Sequence, residues 1–170
     1  MNDAASLLLH DRPAPGRDLS LFGQFVGAWD VDVTYHDYQG QNGTRPGEWV
    51  FFWALEGRAI QDAWRVPPRA ESLRTGAPIF GHGTTVRFPH GAEGDWRCVW
   101  LGLAQGEVIE FAGRRVGAEI HLTHAKPDGV VLRWAFSDIA ADRFHWRFDR
   151  SADGGGTWTR LQEMRARRRG

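Results

Sequence analysis

Apolar and polar side chains alternate along most of the chain from about residue 28 onward. The first such segment shows the pattern clearly, with every second residue apolar: Trp29, Val31, Val33 and Tyr35. A period of two is typical of a β-strand with one buried and one wet face. The pattern predicts ten strands, over residues 28–37, 46–55, 58–66, 80–89, 95–103, 106–113, 117–125, 129–138, 142–150 and 157–168.

Short turn-forming segments separate these strands, such as Glu56-Gly57, Gln105-Gly106 and Pro127-Asp128-Gly129. Strands of even spacing joined by hairpin turns favour a sandwich or a barrel. We predict an all-β fold, a single closed antiparallel barrel of about ten strands with a short N-terminal helix at about residues 19–26. The domain then spans residues 18–170, and residues 1–17 form a flexible N-terminal arm.

The second predicted strand departs from the alternation. Residues 49–55 are apolar at every position, so both faces of this strand need to be covered. The N-terminal helix, the N-terminal arm or a second subunit could supply the cover. A homodimer that uses the apolar outer face around Trp49, Phe51 and Trp53 is therefore one expectation.

Charge and cysteine content exclude several classes of protein. The chain has 21 basic and 21 acidic residues, which argues against a nucleic-acid or membrane-surface binder. Cys98 is the sole cysteine, so an internal disulfide is impossible and a cysteine-based zinc site is not expected. Residues 1–15 hold too short an apolar run for a signal peptide, and a cytoplasmic location is the expectation.

Several segments resemble those of a known group of barrels. Gly27-Ala28-Trp29 after a short helix resembles the Gly-x-Trp opening of the calycins, the lipocalin and fatty-acid-binding-protein group. Residues 55–64, 132–139 and 151–158 resemble a bacterial calycin-like family of unknown function. The resemblance implies a ten-stranded barrel with no established activity. A related branch, the nitrobindin-like barrels, binds haem through a histidine of the last strand, but residues 157–168 contain none. No cofactor is predicted.

Asp62 is the first candidate for chemistry. It shares one face of its predicted strand with Arg58, Ile60 and Trp64, which would place a carboxylate inside an apolar barrel. A buried carboxylate needs a partner, and Arg58, Arg133 or another inward Arg or His could serve. Asp62 could then anchor a ligand, act as a general acid or base, or form a structural ion pair that fixes the strand register.

His121 is the second candidate, as a general acid or base, if its side chain faces the interior. A metal site is not predicted, because His121 and His124 lie three apart and point to opposite faces of a strand. Nucleophilic catalysis has no support, since no Gly-x-Ser-x-Gly segment occurs. Gly81-His82-Gly83 lacks the strand–turn–helix context of a phosphate-binding loop.

The aromatic content suggests a use for the interior. The chain has nine Trp and ten Phe, and a ten-stranded barrel is wide enough to leave space for a ligand. The predicted ligand-binding residues are Tyr35, Phe52, Arg58, Asp62, Trp64, Trp100, Arg133, Trp134, Phe144 and Trp146.

Three functions follow from these residues. The first is binding of a hydrophobic or aromatic small molecule inside the barrel. The second is a cofactor-independent isomerase, cyclase or hydrolase that acts in the same cavity through Asp62 or His121. The third is a non-catalytic homodimeric structural or regulatory protein.

Overall fold

The computed structural model describes residues 3–104 and 106–170. It contains three short helices: α1 Asp3–Leu8, α2 Ser20–Gly23 and α3 Arg69–Thr75. The strands are β1 Leu9–His10, β2 Gly27–Tyr38, β3 Gln41–Ala54, β4 Ala59–Val66, β5 Gly81–Pro89, β6 Trp96–Gly102, β7 Glu107–Val116, β8 Glu119–Ala125, β9 Val131–Ser137, β10 Arg143–Ser151 and β11 Thr159–Arg168. Each predicted strand overlaps one of β2–β11.

Strands β2–β11 close into a barrel. The sheet order is β1-β3-β2-β11-β10-β9-β8-β7-β6-β5-β4, and pairing of β3 with β4 joins its two sides. Every pairing among β2–β11 is antiparallel, and apart from β11 with β2 each joins strands adjacent in the chain. The predicted all-β, ten-stranded closed barrel is confirmed.

Helix α2 and the start of β2 close one end of the barrel. Phe22 and Phe25 are buried against the core, and the indole N–H of Trp29 donates to the Phe25 carbonyl at 2.7 Å. The guanidinium of Arg168 lies 4.1 Å from the Trp29 ring centroid and donates to the Val26 carbonyl. A Cβ at Gly27, whose φ is +133°, would lie 2.6 Å from that guanidinium. The glycine of the Gly-x-Trp segment therefore makes room for the arginine that seals this end.

Strand β3 corrects one expectation. Trp49 and Phe51 face the core and are buried, so they do not form an outer surface for a partner. Trp53 lies under α2, where a Cβ at Gly23 would meet its ring at 2.5 Å. A run that is apolar at every position carries no alternation to show which residues point inward.

The N-terminal segment pairs with the end of β3. Strand β1 pairs with it, Leu9 opposite Ala54 and His10 opposite Trp53, and the Ala14 N–H donates to the Gly57 carbonyl at 2.8 Å. These contacts extend the sheet along the edge of β3, and they do not show what covers the outer face of that strand. None of the helices in residues 3–104 and 106–170 is long and apolar enough to cross a membrane.

Candidate functional site

A cavity opens at the end of the barrel opposite α2. Its mouth lies among the β2–β3 turn, Phe80 before β5, and Glu107 at the start of β7. The cavity volume is about 130 Å³. An apolar cavity of about 150 Å³ admits benzene, so the enclosed space fits one aromatic ring, and a larger ligand would extend through the mouth.

Five tryptophans from five strands form most of the wall: Trp49, Trp64, Trp100, Trp134 and Trp146. Neighbouring rings are in contact around the barrel. The centroid distances are 6.1 Å between Trp64 and Trp100 and 5.4 Å between Trp100 and Trp134. They are 5.3 Å between Trp134 and Trp146 and 6.1 Å between Trp146 and Trp49. Offset and edge-to-face contacts at these distances stabilise aromatic clusters. Four of the five, all except Trp49, are among the predicted ligand-binding residues. Trp49 was missed as a site residue because it lies in the uniformly apolar run.

Two glycines of β5 make this wall possible. A Cβ at Gly81 would lie 2.4 Å from the ring of Trp64, and one at Gly83 would lie 2.1 Å from the ring of Trp100. Both indoles therefore rest directly on the β5 backbone. The Gly81-His82-Gly83 segment has a packing role in the barrel wall, which its sequence alone did not show.

Several buried polar atoms of the wall have no hydrogen-bond partner among the described residues. They are the indole nitrogens of Trp49, Trp64, Trp134 and Trp146 and the hydroxyl of Thr85. Buried polar groups are usually paired, and other unpartnered atoms, such as Nε of Arg87, lie deeper in the core. Trp29, at the closed end, has its partner within the chain.

The mouth of the cavity has positively and negatively charged side chains. The Arg45 guanidinium lies 4.5 Å from the Phe80 ring centroid and donates to the Gln41 side-chain oxygen at 3.1 Å. Burial raises the pKa of Tyr38 to about 12, and the Glu107 charge acts in the same direction. Burial also raises the pKa of Tyr35, although the Arg45 charge opposes it. Both phenols are therefore neutral near pH 7.

Asp62 lies inside the barrel but below the cavity. Its Oδ2 is 2.6 Å from Nη2 of Arg87, and neither side chain is exposed to solvent. Its Oδ1 accepts the Thr85 N–H at 2.9 Å, at a point where β4 and β5 lack a direct backbone pairing. The partner is Arg87, an inward arginine of another strand, whereas Arg58 and Arg133 do not pair with Asp62. Asp62 does not line the cavity, whereas Thr85 does, so the pair supports the structural alternative.

Other predicted residues lie away from the cavity. Arg58 is 69% exposed in the β3–β4 turn. Arg133 is on the outer surface, 3.1 Å from Asp149 and stacked on Trp158. Phe52 alternates with Phe51, so its side chain points outward. Phe144 is in the core at the closed end, with its ring centroid 4.7 Å from that of Trp29. Phe144 points inward as its alternation predicts, but alternation does not show at which end of the barrel an inward residue lies.

His121 also lies outside the barrel. It alternates with Ile120 and Leu122, which are fully buried, and its Nε2 is 2.7 Å from Glu119. The interior orientation considered for His121 is wrong. Burial raises the pKa of Cys98 to about 12, which leaves its thiol protonated. Within residues 3–104 and 106–170, no group of three or more His, Cys, Asp or Glu could hold a metal ion.

The protein is a closed ten-stranded antiparallel barrel with one sealed end and an aromatic cavity at the other, which is the fold that the resemblance of its sequence to the calycins implied. The structure is similar to the S-type phycobiliprotein lyase CPES from Guillardia theta, with a TM-score of 0.60 and 8% identity over 92% of this chain and 94% of that chain. It is also similar to a redesigned beta barrel, with a TM-score of 0.46 and 10% identity over 87% of this chain and 94% of that chain.

No protein-family model matches the sequence, and no curated protein matches it. The likeness to the lyase therefore concerns the fold.

Proposed function

We propose that this protein binds a small aromatic molecule in the cavity at the open end of the barrel. The tryptophan-lined cavity of about 130 Å³ is the observation that carries the proposal. Concave, mostly apolar sites with a few polar groups are typical of small-molecule binding. The fold shared with a phycobiliprotein lyase is compatible with such a site but does not identify a ligand.

Binding is favoured over catalysis by the placement of the ionisable groups. Asp62 forms an ion pair with Arg87 below the cavity, and His121 is on the outer surface. Glu107 is the one ionisable carboxylate among the described residues of the cavity wall, which include no histidine, lysine or cysteine. A general acid or base must come within hydrogen-bond reach of the substrate. A cytoplasmic location and a homodimer stay predictions from the sequence.

A bulky substitution at the mouth tests the proposal. Ile109 lines the cavity next to Trp100, whereas Val108 is 71% exposed on the other face of β7. Ile109→Trp should fill the mouth and weaken binding of a small aromatic probe such as toluene at least about tenfold, since the substitution removes the space that the probe occupies. Isothermal titration calorimetry measures the affinity.

Val108→Trp is the matched control and should bind toluene as the unmodified protein does. Far-UV circular dichroism and cooperative unfolding establish that both variants are folded. Failure of the unmodified protein to bind any small aromatic probe at millimolar concentration would contradict the proposal. So would equal affinities for the Ile109→Trp and Val108→Trp variants.

A further inference from the structure

The wall of the cavity has an uneven charge. Glu107 is the one charged side chain among its described residues, and it is half-buried at the start of β7. Within residues 3–104 and 106–170, no ion pair includes Glu107. Arg45 lies beside the mouth, where its guanidinium contacts Gln41 and the Phe80 ring. A carboxylate without a cationic partner at the edge of an apolar cavity favours a ligand that brings a positive charge.

The charge of Glu107 acts on the cavity wall itself. Tyr38 lines the cavity, and its pKa is raised to about 12, first by burial and then by the Glu107 charge. A negative charge that disfavours a phenolate at this position favours an ammonium group, because the sign of the interaction reverses. The Arg45 charge acts instead on Tyr35. The part of the mouth beside Tyr38 is therefore the place for a cation.

The aromatic wall is compatible with a cation and unsuited to an anion. The face of an aromatic ring carries partial negative charge and attracts cations. Such a contact already exists at the mouth, where the Arg45 guanidinium lies 4.5 Å from the Phe80 ring centroid. An anion would meet no cationic side chain among the described residues of the wall, and burying it there is unfavourable. The aromatic residues of the wall are Tyr35, Tyr38, Trp49, Trp64, Phe80, Trp100, Trp134, Trp146 and Phe148.

Strand β7 sets the distance between an enclosed ring and the carboxylate. Glu107, Ile109 and Phe111 share one face of the strand, and Phe111 is fully inside the core. Glu107 and Ile109 both line the cavity, which has a volume of about 130 Å³ and holds one aromatic ring. Residues two apart on a strand are separated by about 6.6 Å. A ring packed against Ile109 therefore needs only a short alkyl chain to bring an amine to Glu107.

We infer that the ligand is a cationic arylalkylamine, whose ring occupies the cavity and whose ammonium group pairs with the Glu107 carboxylate at the mouth. This inference rests on the proposed function and names its ligand class.

Three probes of matched shape test the inference. Phenethylamine, phenethyl alcohol and hydrocinnamate each join one phenyl ring through a two-carbon chain to a polar group, which at neutral pH is cationic, neutral and anionic respectively. Isothermal titration calorimetry compares their affinities for the unmodified protein. Phenethylamine should bind at least about fivefold more tightly than hydrocinnamate, since only the amine meets a charge of opposite sign in the wall.

The substitution Glu107→Gln identifies the group that pairs with the amine. It should weaken phenethylamine binding about three- to tenfold and change phenethyl alcohol binding less than about twofold. Glu110→Gln is the matched control on the same strand, because Glu110 pairs with Arg97 at 3.0 Å and its side chain is 57% exposed. It removes the same net charge and should leave all three affinities unchanged.

The outcomes separate the inference from the proposed function. If the probes bind but Glu107→Gln weakens the amine and the alcohol in the same proportion, or affects neither, the inference is overturned while the proposed function stands. Equal effects of Glu107→Gln and Glu110→Gln on the amine, or hydrocinnamate binding as tight as that of the amine, also overturn the inference alone. If neither these probes nor toluene bind the unmodified protein, both are overturned.

A measurement on the unmodified protein needs no variant. Added salt screens the attraction between an ammonium group and a partly exposed carboxylate, but it does not act in this way on an alcohol. In about 0.5 M sodium chloride, phenethylamine binding should weaken at least about twofold relative to phenethyl alcohol binding. The same dependence on salt for the two probes would overturn the inference.

Discussion

Asp62 and Arg87 show how a single residue pair connects two strands at a break in their pairing. The carboxylate replaces a backbone acceptor for the Thr85 N–H, and the Arg87 Nη1 donates to the Thr85 carbonyl at 3.4 Å. The guanidinium also lies 5.3 Å from the ring centroids of Phe22 and Phe51. The pair thus fixes β4 against β5 directly below the cavity.

Asp62→Asn should destabilise the protein by about 3–5 kcal/mol, because it leaves the Arg87 charge buried and unpaired. Guanidinium chloride unfolding measures the loss. Asp32→Asn is the control: Asp32 pairs with Arg167 on the surface, and both side chains are more than 40% exposed. Its effect should stay below about 1 kcal/mol. Equal effects of the two substitutions would contradict the structural role of the buried pair.

Strand β5 shows how an element is shaped by the side chains of its neighbours. Trp64 on β4 and Trp100 on β6 both turn their rings onto β5, at Gly81 and Gly83. A glycine weakens a strand slightly in isolation. Here it allows large rings to pack against the backbone, which sets the shape of the cavity wall.

Gly81→Ala should destabilise the barrel by about 1–3 kcal/mol, because the new methyl group overlaps the Trp64 ring. Trp64→Phe removes the ring atoms that the methyl group would meet, so the double variant should be more stable than the sum of the two single effects predicts. Thermal and denaturant unfolding of all four proteins measure this coupling. Strictly additive effects would show that Gly81 does not accommodate the indole.

The N-terminal segment is a separate element that adds to the barrel. Strand β1 pairs with two residues of β3, whereas the closure of β3 on β4 lies wholly within residues 41–66. The core residues likewise belong to residues 19–166. These contacts support residues 18–170 as the folding unit.

Deletion of residues 1–17 should leave a folded barrel, because neither the closing pairs nor the core depend on that segment. Far-UV circular dichroism and a single cooperative unfolding transition test this expectation. Analytical ultracentrifugation of the full and shortened chains also tests the predicted homodimer. Loss of cooperative unfolding in the shortened chain would contradict the domain boundary.

At the scale of the whole molecule, ionisable side chains join distant strands across the outer surface. Glu163 on β11 contacts His36 on β2 at 3.0 Å and His145 on β10 at 2.6 Å. Partial burial would raise the pKa of Glu163, but the hydrogen bonds from His36 and His145 outweigh it and lower the pKa. The pKa of Glu119 is also lowered, against its partial burial, by His121 and Arg147. The folded state thus favours the ionised over the protonated form of both carboxyl groups.

This preference predicts a loss of stability in acid. A carboxylate with a lowered folded-state pKa contributes fully above its unfolded-state pKa, about 4.3 for Glu, and the contribution disappears as the pH falls through the folded-state pKa. The denaturant midpoint should therefore fall between about pH 5 and pH 3. Glu163→Gln should make that fall less steep, whereas Glu56→Gln, at a 61% exposed position, should not. Parallel pH profiles for all three proteins would contradict the assignment.

Alternation and turn residues predicted the fold because both are local. Side chains on one face of a strand recur every two residues wherever one face is buried, and the Gly-rich turns separate successive strands. The same reasoning identified Trp64, Trp134 and Trp146 as inward residues. It failed at Phe52 and Trp49, because a run that is apolar at every position does not show which residues point inward.

The sequence by itself determined the ten strands, the hairpin turns that join successive strands, and an aromatic interior. The tertiary structure decided the partner of Asp62, which is 25 residues away on another strand, and the side of the wall on which His121 and Arg133 lie. It also decided that four indole donors around one cavity have no acceptor in the described chain. The physical reason is that pairing between distant side chains depends on strand register and side-chain packing, and neither leaves a local pattern in the sequence.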